Sequence, residues 1–224
     1  MTLSIDEITD GVFHIETETQ YEIASTFMRV QEFYESSFKG FRGHYFTHEQ
    51  YMDAYAEFSD KKFTYFDDCI GFNIPGHAFN KWVKLFSKYE LWEKEQDLID
   101  LVYDNLTTKT DNFCVLGTYS EADDKYIIDH ELSHAWYYLD PKYKRAMLKL
   151  VRKLPKAVKN QLINHLKEEG YSSRVHNDEI IAYMATNPMT YTSDMFEGKV
   201  PWDKILEFQL TFKDFRDEKI DEDN

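Results

Sequence analysis

The segment His130-Glu131-Leu132-Ser133-His134 carries the most specific chemistry in the sequence. On a helix, residues four apart project from one face about one turn apart, so both imidazoles can reach a single zinc ion (Zn2+) at about 2.0–2.1 Å. Glu131, one position after the first histidine, can flank the open side of such a site. A zinc ion held there would act as a Lewis acid on water, with the Glu131 carboxylate as the general base that takes the proton during attack on a carbonyl. At this composition, chance placement would produce only about 0.03 copies of the pattern. A catalytic zinc needs a third protein ligand, and after His134 the candidates are Asp140, His165, His176, Asp178 and Glu179.

The elements that must position these residues can be read from pattern. Asn112-Phe-Cys-Val-Leu-Gly-Thr-Tyr119 is short and rich in β-formers, and it predicts a strand. Ser120 and Asp123 then offer capping chemistry for a helix that holds Ile127, Ile128, Leu132 and Ala135 or Trp136 and carries the motif. Asp140-Pro141 is an N-cap and N1 pair opening a helix with Tyr143, Met147, Leu150 and Leu154 on one face, which Pro155 ends. A further helix with Val158, Leu162 and Leu166 stops at Gly170. Asn177 or Asp178 can cap the next, which runs to about Asn187-Pro188.

Upstream, Ile23, Phe27, Val30 and Phe33 or Tyr34 predict a helix over 21–35, half exposed, with an i,i+3 pair between Arg29 and Glu32. Tyr51, Ala54, Tyr55 and Phe58 predict another over 49–58. Residues 62–76 suit a short strand and a loop closed by Pro75-Gly76, and helical spacing resumes from His77 and again from Leu98. His44 and His48 share i,i+4 spacing without an acid after the first, so they are read with His14 and His77 as structural. The tail from Lys213 holds six acids and three bases and is expected to fray.

The stretch Asn112 to Leu139 resembles the core of zincin-type metallopeptidases, in which an edge strand lies beside the helix that carries HExxH. The resemblance spans 112 to about 187 and implies zinc-dependent hydrolysis of a peptide or protein substrate. It also implies that the strand with Phe113, Val115 and Gly117 binds extended substrate by adding to the sheet. The metzincin continuation is absent, because Tyr137 and Asp140 stand where its Gly and His would be. Asn177-Asp-Glu-Ile-Ile-Ala-Tyr183 instead resembles the gluzincin arrangement, in which a glutamate on a second helix completes the site, and this selects Glu179 as third ligand. Gluzincins often place an acid four positions later to orient the first histidine. Here that position is Tyr183, so Asp178 or a backbone carbonyl is left to supply the bond. The oxyanion of the tetrahedral intermediate needs a donor, and Arg174, His176, Tyr183 and Tyr191 are near enough in sequence to Glu179 to compete.

The fold class implied is a helix-rich α+β domain, with a small sheet packed on the HExxH helix and an N-terminal helical subdomain. One compact unit over 1–224 is the simplest organisation, with a possible subdivision into 1–110, a metal-site part over 111–212 and an acidic tail over 213–224. The formal charge of -15 disfavours nucleic-acid binding over most of the surface. From Pro141 to Val175, however, ten bases stand against two acids, a local +8 that leaves -23 elsewhere. The basic helices over 142–159 are thus a candidate face for an acidic partner. Two cysteines, Cys69 and Cys114, exclude a disulfide scaffold. No stretch approaches the apolar length of a membrane span, and the expectation is a cytoplasmic protein. The competing function class is a zincin-like protein-binding or regulatory module without turnover.

Overall fold

The computed structural model describes residues 3–106, 110–120, 125–169, 171–188, 192 and 200–221. It is helix-rich with one small mixed sheet, an α+β chain. None of the described helices is long and apolar enough to cross a membrane. By its internal contacts it falls into two compact units, Met1–Ile127 and Ile128–Asn224.

The first unit opens with strands β1 (Ser4–Thr9) and β2 (Val12–Thr17), joined through Asp10 and Gly11. Gly11 takes φ +72°, the left-handed conformation that a two-residue hairpin loop demands and glycine adopts without strain. Helices α1 (Gln20–Glu35), α2 (His48–Phe58) and α3 (Tyr65–Asp68) follow, then β3 (Phe72–Pro75), α4 (Gly76–Phe86), α5 (Glu93–Asn105) and β4 (Cys114–Tyr119). Capping boxes start the first two helices: Thr19 with Glu22, and Thr47 with Gln50. The sheet order is β1-β2-β4-β3, with β4 parallel to β2 and antiparallel to β3. The N-terminal part is therefore not simply helical, since it holds the whole sheet, and β4 belongs to it rather than to a unit beginning at 111.

The position of β4 corrects its expected role as a substrate-binding edge. Val115 pairs with Phe13 on one side and Ile74 on the other, and Gly117 with Ile15 and Phe72. Both rows of backbone groups are thus consumed within the sheet, and an extended peptide has nothing to add to. The side chains are equally committed. Phe113 is buried against Phe13 and Phe79, and Val115 is fully buried. A Cβ at Gly117 would stand 3.0 Å from the Phe27 ring, so the glycine there admits α1 onto the sheet.

Arg29 departs from the expected pairing with Glu32. It is 2% exposed, and its Nε donates to Glu95 Oε1 at 2.7 Å while its Nη2 pairs with Glu95 Oε2. Glu95 Oε2 also accepts the Trp92 backbone N–H at 2.8 Å. His48 lies 3.5 Å from Glu95 and stacks on the Trp92 ring. Glu32 is buried instead, and burial raises its carboxyl above the ordinary value of 4.5 against the opposing influence of Tyr51, Ser36 and Tyr65. Both polar side chains are buried on α1, so each needs a partner from elsewhere in the unit.

Burial alone would raise the Glu95 carboxyl, but Arg29 and His48 outweigh it and hold it below its ordinary value of 4.5. Its stabilising effect is therefore fully present above about pH 4.5 and lost as the pH falls through the lower folded value. Glu95→Gln leaves the Arg29 charge buried without its counter-ion and should destabilise the protein by about 3–5 kcal/mol at neutral pH. In denaturant titrations the gap between wild type and variant should narrow below pH 4.5; a gap that stays constant down to pH 3 would deny that the charge pair is its source.

Among its described residues the second unit's regular elements are all helices: most of α6 (Lys125–Leu139), α7 (Pro141–Lys153), α8 (Lys156–Glu168), α9 (His176–Thr186) and α10 (Trp202–Asp221). Asp140 caps α7, its Oδ1 accepting from the Lys142 and Tyr143 backbone N–H groups. The Ser120 hydroxyl donates to the Glu18 carbonyl at 3.4 Å, and the segment leading into α6 lies outside the described residues. Asp123 and Gly170, expected to start α6 and end α8, lie outside the described residues. Helix α9 packs against α7, α8 and α10 and buries Ile180, Ile181, Ala182 and Met184.

The acidic tail is helical through Asp221 rather than frayed. Phe212 packs on Trp136, Phe215 packs on Tyr143, and Arg216 and Lys219 pair with Asp129 and Asp140. These contacts order a segment that charge counting alone marks as loose.

Candidate metal centre

Helix α6 turns one face into its unit's core and another toward α9. Leu132, Ser133, Ala135 and Trp136 are buried, and the Ser133 hydroxyl lies 2.7 Å from that of Tyr143. Ser133 thus has a packing role within the motif. The helical repeat puts His130 and His134 side by side, with ring centroids 4.9 Å apart and the two Nε2 atoms facing at 3.2 Å.

Helix α9 supplies the third group. Glu179 Oε2 lies 3.8 Å from His134 Nε2, and one ligand atom each from His130, His134 and Glu179 falls within 4.8 Å of the others. Ligands on a tetrahedral zinc with bonds of about 2.0–2.1 Å stand about 3.3 Å apart, so the set needs only small closure to hold one ion. Two imidazoles and a carboxylate, with a fourth position open, are also a donor set that catalytic zinc takes. The residues fit the ion.

The helix begins at His176 with Val175 at the cap position, not at Asn177 or Asp178. Asp178 therefore lies in the first turn, where its side chain serves His134: Oδ1 is 3.0 Å from Nδ1. The expected support for the first histidine falls on the second. Asn187, which pattern reading treated only as a helix stop, sits near His130 and opposes the lowering of its ring pKa by burial. The Tyr183 ring meets the same imidazole edge-on at 4.9 Å. Glu179, Tyr183 and Asn187 are spaced i, i+4, i+8, one stripe along α9. The start of the motif meets the end of α9 and its second histidine meets the beginning, so the two helices run antiparallel. That stripe was the available sequence signal for Asn187.

Burial dominates the electrostatics. Desolvation, reinforced by His134, pushes His130 down to about 3 and leaves it neutral with a lone pair to offer. Desolvation would lower His134 as well, but Asp178 and Glu179 outweigh it and hold it well above the ordinary histidine range. Glu131 and Glu179 are both pushed up to about 7, chiefly by burial and opposed by His134. Carboxyls buried together with two imidazoles at one point are the kind of charge arrangement that functional sites collect.

The other candidates separate. His176 is buried, and its Nε2 donates to the Tyr171 carbonyl at 3.0 Å, so that nitrogen is not offered to a metal. Arg174 is exposed on the turn before α9. Tyr183 is the possible oxyanion donor that touches a ligand side chain, with its hydroxyl 3.2 Å from that of Tyr171. Tyr191 lies outside the described residues. Asp140 is taken up by capping α7 and pairing with Lys219, and His165 lies in the last turn of α8; neither belongs to the convergent set. Comparison of the chain with protein-family models, with curated proteins and with solved structures returns no match.

Proposed function

We propose that the chain is a zinc-dependent metallopeptidase in which His130, His134 and Glu179 hold the ion and Glu131 is the general base. The observation that carries this reading is the convergence of those three side chains, from two helices, to within 4.8 Å. Bound zinc supplies Lewis-acid activation of water and of the scissile carbonyl. Glu131 follows His130 directly in the motif, and a carboxyl near 7 can both take a proton and return one to a leaving amine at neutral pH. Tyr183 is the favoured donor to the developing oxyanion, because it alone of the described candidates packs on a ligand. The order of strand, HExxH helix and glutamate-bearing helix along the chain supports a zincin-like core of gluzincin type as the finer description of the fold.

Turnover of a peptide library is the direct test. Activity should vanish on chelation and return on adding zinc, whereas hydrolysis that survives complete metal removal would overturn the reading. A zinc-loaded protein that cleaves nothing would favour a second reading, a binding module without turnover. The consumption of both edges of β4 speaks for that alternative, since it removes the expected peptide-binding strand. In either case the exposed bases Lys142, Arg145, Lys149 and Arg152, one stripe along α7, suit an acidic stretch of substrate or partner.

A further inference from the structure

We propose that Asp178 is the positioning residue for His134, holding its Nδ1 so that Nε2 faces the ion. This rests on the metal-site reading above and adds to it a division of labour within α9.

Asp178 Oδ1 stands 3.0 Å from His134 Nδ1, is buried, and has no aligned hydrogen-bond partner among the described residues, so this contact is the one open to it and a small rotation of either side chain would complete it. The two nitrogens of an imidazole point away from each other. An oxygen that holds Nδ1 therefore cannot also reach an ion on the Nε2 side, and Asp178 is excluded as a ligand by the contact that makes it useful. Accepting the Nδ1 proton fixes the tautomer in which Nε2 carries the lone pair, and the carboxylate makes that nitrogen a stronger donor. His134 Nε2 in turn faces His130 Nε2 at 3.2 Å and Glu179 Oε2 at 3.8 Å, so the orientation set by Asp178 is the one the ligand set requires.

His130 receives different support. Its ring is covered edge-on by the uncharged ring of Tyr183, with centroids 4.9 Å apart. One helix thus provides a ligand and contacts to both other ligands: Asp178 and Glu179 in its first turns and Tyr183 farther along. Moving α9 would disturb all three ligands together.

The test is zinc affinity of the full chain, measured by competition with a chromophoric chelator, together with nitrogen NMR of the His134 ring in the zinc-loaded state. Asp178→Ala should weaken zinc binding about 10–100-fold and abolish the single Nδ1–H tautomer of His134. Asp178→Asn keeps an acceptor oxygen and the side-chain shape, so it should fold like the wild type and recover part of the affinity and the tautomer. Melting in chelator checks that each variant folds. Should wild type bind zinc in a His134-dependent way while Asp178→Ala matched it within twofold and kept the tautomer, the positioning role would fall and the metal site would stand. If wild type bound no zinc, or His134→Ala bound it equally well, the site reading would fail and take this proposal with it.

Discussion

Glu131→Gln is expected to abolish peptide hydrolysis while the protein keeps its zinc. The amide has the shape of the carboxyl but cannot accept a proton from water, so the variant loses the acid–base contribution, about 10²–10⁴-fold in rate. It should retain zinc because the convergent ligand set consists of His130, His134 and Glu179 without Glu131. Glu131 is 9% exposed and its carboxyl is held near 7 by burial, so replacing it with a neutral amide should cost little stability. Measuring kcat/KM beside zinc content decides the role. Activity within tenfold of wild type would remove Glu131 as general base, and loss of zinc together with activity would make it part of the metal-holding structure instead.

Removing the metal should have the largest effect on stability. A ligand bound only by the folded state at about 1,000 times its dissociation constant adds about 4.1 kcal/mol, which for a chain of this length is about 8–16 °C in Tm. His134 stands where Asp178, Glu179 and His130 all reach it. His134→Ala should therefore erase the whole zinc-dependent increment. The comparison is made within each protein, with and without zinc, so any packing cost of the substitution cancels. A variant that still gained several degrees from zinc would show that the ion binds elsewhere.

The residues that were legible in the sequence are those whose relation is local. His130, Glu131 and His134 are within five positions, and any helix through them gives the same face. The cap at Asp140 is likewise short-range. The hairpin at Asp10-Gly11 was legible on the same terms, with a two-residue loop between alternating apolar positions, although helical spacing drew the reading to residue 21 onward. Glu179 was reached by likeness to a known arrangement, and its place beside His134 came from the packing of α9.

What was misread depends on partners far along the chain. Residues 112–119 form a strand as their composition demands, but whether that strand is an edge depends on two others that compete to pair with it, and composition is silent on that contest. Arg29 has an acid three residues away, yet its partner is Glu95, because a buried guanidinium needs the carboxylate buried beside it rather than one free to stay in water. Asp178 looks like a helix cap until the helix is seen to start two residues earlier. The acidic tail looks loose until its aromatic residues are seen against Trp136 and Tyr143.

By itself the sequence determined the chemistry on offer: two imidazoles and a carboxylate on one helix, in a helix-rich acidic chain. That follows from the 3.6-residue repeat, which needs no partner to place i and i+4 together. Only the tertiary structure decided which carboxylate stands beside His134 Nε2, which one stands beside its Nδ1, and that both edges of β4 are paired. Those outcomes depend on which buried groups find one another across long stretches of chain, where unsatisfied polar atoms and unfilled space cost far more than local preference can offset.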